Sequence, residues 1–95
     1  MADFLQGRRG DAHRTIAVEY AAGGVRANCL ATGVIDAGMT AELPSVEERE
    51  RLRALHPLGR FGEADEVAEA AIWLLSDAAP FTTGATLSVE GGFPA

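Results

Sequence analysis

The chain has 95 residues, 47% of them apolar, room for one small domain or part of one and too apolar for a disordered tail. A formal net charge of −6 opposes the concentrated positive surface that nucleic acid or anionic lipid requires, so neither is an expected partner. The single cysteine, Cys29, cannot form an internal disulfide, and there is no apolar run of transmembrane length or secretory leader, so a cytoplasmic, non-membrane protein is expected.

Residues 1–13 read as a divergent leader in which Gly7 and Gly10 suit a helix poorly. Residues 12 to 22 read as the end of a helix, with Ile16, Ala17 and Tyr20 at helical spacing and Gly23-Gly24 as its stop. Tyr20 is expected to pack as an aromatic near that helix end. Val25 to Ala31 reads as a buried strand of a parallel sheet, with Cys29 an inert buried thiol, and Thr32-Gly33 ends it.

Ala41 to Leu55 is a charged surface helix or two short ones, in which Glu47 and Arg51 are spaced to pair. His56-Pro57 closes it, because a residue before proline is pushed out of the helical region. His56 has no metal-binding neighbour at ligand spacing, so no metal site is expected and the ring reads as a surface or packing group. A further helix carries Glu63, Asp65 and Glu66 in its first turn and Val67, Ala71, Leu74 and Leu75 as its inward stripe. Asp77 to Pro80 ends it, and Ala85 to Val89 alternates as a half-buried strand near a sheet edge. The order is helix, strand, helices, helix, strand. Two strands do not make an independently stable sheet, so the pattern reads as a single partial α/β domain over residues 1–95, incomplete by itself.

Two stretches carry a specific resemblance. Ala17, Glu19, Tyr20, Ala21, Gly24, Val25, Arg26, Asn28, Gly33, Ile35 and Met39 fall without a gap on the segment that follows the catalytic helix of short-chain dehydrogenases/reductases. Pro57-Leu58-Gly59-Arg60-Phe61-Gly62, Thr83-Gly84 and Val89-Glu90-Gly91-Gly92 resemble that family's closing segment. The resemblance implies the carboxyl-terminal portion of a Rossmann-like doubly wound parallel sheet, an NAD(P)-dependent oxidoreductase by ancestry, and cofactor contacts at Thr32, Gly33, Val34 and Ile35. Without the family's other parts those four residues are either vestigial contacts or a strand-to-loop turn in which Gly33 supplies backbone freedom. Met39 and Ala41 to Leu55 resemble the substrate-covering region.

The departures bear on activity. Thr32 stands where the family has proline, and Ala37 where it has a cofactor-binding threonine. Counting back without gaps, Gln6 takes the catalytic lysine position and Ala2 the tyrosine position. Hydride transfer to a carbonyl leaves an alkoxide that needs a proton, and a phenol serves only with a cation beside it. Tyr20 is followed four residues later by Gly24, and the chain has no Gly-rich dinucleotide turn. No catalytic residue is therefore assigned, and the isolated chain is expected to hold NAD or NADP weakly. The resemblance also implies a homo-oligomer through the last helix and strand, or a complementing chain that supplies the dinucleotide fold. Codons allowed for Phe4 to Asp11, read one base later, can spell a stretch like the family's catalytic helix. A frameshifted start and a divergent or cloned leader both remain open.

Overall fold

The computed structural model describes residues 2–7, 11–36 and 45–93. In chain order these form β1 (Ala2–Gly7), α1 (Ala12–Tyr20), a 3-10 turn (Ala21–Gly23), β2 (Val25–Thr32), α2 (Val46–Ala54), α3 (Ala64–Leu75) and β3 (Thr86–Val89). The strands make one parallel sheet in the order β1-β2-β3. This corrects the expected element order, because the leader supplies a strand, pairing Ala2–Gly7 with Val25–Leu30. The edge of β2 satisfies backbone donors and acceptors that the leader's composition does not advertise.

β2 is central, and its middle six residues are all buried. Side chains alternate across a strand, so Ala27, Cys29 and Ala31 occupy one face and Arg26, Asn28 and Leu30 the other. Thr86 lies opposite Cys29 in the register, and its hydroxyl is 3.3 Å from His13 Nε2 of α1. On the alternate face Arg26 reaches the carboxyl end of α3. Helices thus serve both faces of a parallel sheet, as in doubly wound proteins.

Local chemistry explains the helix ends. Gly24, at φ 78°, terminates the 3-10 turn and donates its N–H to Ala21. Ser45 caps α2 by accepting from Glu48 N–H at 3.1 Å, and none of the residues of α2 is buried, as a surface helix requires. Within it Arg51 pairs with Glu48 rather than the expected Glu47, one turn at i, i+3 instead of i, i+4. At the start of α3, Glu63 and Glu66 form a reciprocal capping box.

The inward stripe of α3 is Val67, Ala71 and Leu74, of which Leu74 is fully enclosed. Leu75 is exposed, contrary to expectation, because one residue further along a helix turns about 100° away from the buried line. Tyr20 is also a correction, being 56% exposed at the end of α1 rather than packed. Met39 and residues 41–44 of the expected helix lie outside the described residues.

A second set of contacts docks the segment between α3 and β3 onto β2. Asn28 donates to Thr82 O at 3.1 Å and accepts from Ala85 N–H at 3.1 Å. Thr83 Oγ1 accepts from Ala27 N–H, and Gly84, at φ 71°, donates to Ala27 O at 2.7 Å. The Arg26, Asn28 and Thr83-Gly84 positions of the resemblance are thereby one clamp.

Candidate functional site

Parallel strands point their carboxyl ends to one side, and the chain leaves β2 and β3 there through Gly33 and Glu90. A cleft of about 180 Å³ opens at that point, lined by Gly33, Val34 and Ile35 after β2, Ser88 to Gly91 around the end of β3, and His56, Leu58, Arg60, Gly62 and Glu66. Ligands of open α/β sheets bind outside the carboxyl ends of the strands. Of the four expected contact residues, Gly33, Val34 and Ile35 line the cleft. Thr32 does not, being the last residue of β2 and paired with Val89. Ala37 lies outside the described residues.

The two motif stretches meet here. Leu58 N–H donates to Gly91 O at 3.0 Å, and Gly92, at φ 86°, lies so close to Pro57 that an added Cβ would be 2.8 Å from its ring. Gly33 is small for a related reason. It does not have the left-handed backbone that only glycine adopts readily. A Cβ there would sit 2.8 Å from His56 Nε2 and 3.0 Å from Glu90 O. Space, rather than the expected backbone freedom, is what that glycine provides.

The Val34–Asp36 backbone is hydrogen-bonded to Gly62 along one edge. Val34 O accepts from Gly62 N–H at 3.0 Å, and Asp36 N–H donates to Gly62 O at 2.7 Å, a parallel bridge centred on Ile35. Successive residues of extended backbone present their N–H and C=O to opposite edges. The Ile35 pair therefore faces away from Gly62, and among the described residues neither group has a partner. A donor beside an acceptor at this spacing is what a primary carboxamide complements.

His56 was expected as a surface or packing group, and it is a packing group, 2% exposed. Its sequence neighbours do not reveal that its Nε2 lies 3.0 Å from Val34 N. Arg60 and Glu66 stand at the rim as an exposed bidentate pair, 2.7 and 2.9 Å. The Arg60 guanidinium bonds, followed by the Glu63 backbone N–H, bring the Glu66 carboxyl down to about 2. The rim cation is thus already matched by a carboxylate. No cluster of three His, Cys, Asp or Glu side chains suited to a metal occurs among the described residues, and none of their helices is long and apolar enough to cross a membrane.

Parallel strands, helices on both faces and a cleft at the strand ends define a Rossmann-like α/β protein. The sequence profile described as enoyl-(acyl carrier protein) reductase matches residues 11–94. The chain belongs to the short-chain dehydrogenase/reductase family. It is 46% identical over 82 residues to a cis-4-hydroxycyclohexanecarboxylate dehydrogenase of Sinomonas cyclohexanicum, covering 86% of this chain and 32% of that protein. It is 42% identical over 84 residues to a 2,5-dichloro-2,5-cyclohexadiene-1,4-diol dehydrogenase of Sphingobium indicum, covering 86% and 34%. A glucose 1-dehydrogenase of Bacillus subtilis is 41% identical over 78 residues, covering 82% and 30%. The chain spans about a third of the length of these relatives.

Proposed function

We propose that this chain carries the nicotinamide-facing wall of an NAD(P)-dependent oxidoreductase, and that the 95 residues in isolation bind the cofactor weakly and transfer no hydride. The observation that carries this reading is the Ile35 N–H and C=O beyond the carboxyl end of β2, which have no partner among the described residues and match the nicotinamide carboxamide. Gly33 and Val34 would border the ring, with Thr32 behind them as the strand end. When bound, the nicotinamide supplies or accepts the hydride. This chain's own part is to orient the carboxamide and to exclude water from one side of it. Its residues fit that end of the dinucleotide and not the pyrophosphate end, since no Gly-rich turn leads into a helix N-terminus.

The proton-donating step has no candidate. The chain has no lysine to lower the pKa of a phenol, and Tyr20 lies exposed at a helix end. Titration of the labelled chain with NADH, followed by NMR, tests the reading. The Ile35 amide should move at ligand concentrations on the order of millimolar, with no oxidation of NADH in the presence of carbonyl compounds. Tight binding or turnover would refute inactivity of the isolated chain, and an unmoved Ile35 would refute the site.

A second reading, assembly, is favoured by exposed apolar side chains on the last turn of α3 and just after it. Ile72 and Trp73 on α3 are 66% and 46% exposed, with Leu75 and Phe81 exposed beyond them. The last helix and strand would join a second copy of this chain or a separate chain that supplies the dinucleotide fold. The buried, unpaired Cys29 suits a reducing, cytoplasmic setting for either.

A further inference from the structure

We propose that His56 is a positioning residue: its ring fixes the Val34 backbone and so aims the neighbouring Ile35 donor and acceptor into register for a carboxamide. The proposal rests on the cofactor reading above for its purpose, though not for its geometry. Both ring nitrogens are engaged. Nδ1 lies 2.9 Å from Leu52 O, which can only accept, and Nε2 lies 3.0 Å from Val34 N, which can only donate. These partners dictate one neutral tautomer, with the proton on Nδ1 and a bare lone pair on Nε2.

The ring is itself immobilised. It stacks on Phe93 with centroids 4.6 Å apart and planes 24° apart, and meets the edge of Phe61 at 5.8 Å and 88°. Gly33 is what lets the ring come this close to the strand end. Volume alone does not account for a histidine here, because phenylalanine would fill the slot. Phenylalanine would leave the Val34 N–H without that acceptor in a partly buried place. With that N–H bonded, Val34 is held from both of its polar groups, to His56 and to Gly62, and Ile35 has only the opposite edge to face. The residue that closes the surface helix α2 thereby sets the backbone of the cleft wall, 22 residues away.

NMR of the nitrogen-15 labelled chain decides the matter. The wild type should show a scalar coupling across the hydrogen bond between Val34 N and His56 Nε2, with the ring proton on Nδ1. In His56→Phe, Val34 amide exchange should rise about tenfold, and about tenfold more NADH should be needed to move the Ile35 amide. His56→Gln, whose side-chain oxygen can accept the same N–H, should restore both. Absence of the coupling, wild-type exchange at Val34 in a folded His56→Phe, or failure of His56→Gln to restore would each overturn the proposal. Should His56→Phe not fold, the coupling and the His56→Gln exchange rate still decide it. A wild type with the coupling present and Val34 protected, whose Ile35 ignores NADH, would sustain the positioning and overturn the cofactor reading alone.

Discussion

Arg26 Nη1 donates to Leu74 O at 2.7 Å, tying the second residue of the central strand to the carboxyl end of α3. The same guanidinium donates to Ala79 O at 2.9 Å, Thr82 O at 3.3 Å and Ser76 O at 3.1 Å, and pairs with Asp3 at 3.2 Å. Helix carbonyls left over at a C-terminus need donors, and a cation there also complements the negative end of the helix dipole. Arg26 answers both needs and anchors the return to β3. Its side chain is nearly enclosed, so the bonds are not traded against water.

Replacing this residue should therefore be costly. Arg26→Met should destabilise the chain by about 3 kcal/mol, since it strands several carbonyls and the Asp3 carboxylate. Arg26→Lys keeps the charge but loses the planar fork, and should cost about 2 kcal/mol. Urea denaturation followed by circular dichroism reads both. A lysine variant as stable as wild type would show that charge, not geometry, is what matters.

Two glycines make a matched pair of substitutions. Gly33→Ala drives a methyl against His56 and the Glu90 carbonyl, and should cost about 2 kcal/mol, with faster exchange of the Val34 amide. Gly23→Ala meets nothing within 4 Å at a residue whose φ is not positive, and should stabilise by about 0.5 kcal/mol. Thermal melts of the two variants should move in opposite directions.

The Arg60 and Glu66 pair predicts an acid-side dependence. The Glu66 carboxyl is lowered from 4.5 to about 2 in the folded chain, so its contribution is fully present above about pH 4.5 and is lost as the pH falls through about 2. Both groups are exposed, so the effect should be small and should shrink in high salt. Glu66→Gln should flatten the part of the stability profile between those two pH values. A profile parallel to wild type in low salt would count against the pairing.

Assembly makes a fourth prediction. If the exposed end of α3 is a contact surface, the wild type sediments as a dimer or larger, and Ile72→Glu or Trp73→Arg shifts it toward monomer without loss of helix content. A wild type that stays a folded monomer at high concentration would remove this reading.

Much of the fold is legible along the chain because it depends on neighbours in sequence. The Gly23-Gly24 stop, the apolar run from Val25, the acidic first turn of α3 and the alternation of Thr86 to Val89 are local patterns with local causes. So is the family, whose motifs are short and ungapped. Gly33, Val34 and Ile35 were legible as a segment after the strand for the same reason, and they line one cleft.

The remainder was decided by contacts between distant residues. β1 is a strand because the edge of β2 pairs with it, whereas its own composition carries no strong strand pattern. Arg26 reads as a position of the family resemblance, but its role is unseen until its bonds to positions 48 to 56 residues away are found. His56 carries no spacing signal either; its meaning lies in its bond to Val34, 22 residues away in sequence. By itself the sequence determined the family, most of the elements and the lack of a Tyr-Lys pair, because those follow from residue identity and short-range order. Only the tertiary structure decided which backbone groups at the strand ends lack a partner among the described residues and which side chain holds the neighbouring Val34 N–H, because hydrogen-bond satisfaction is settled by packing in space.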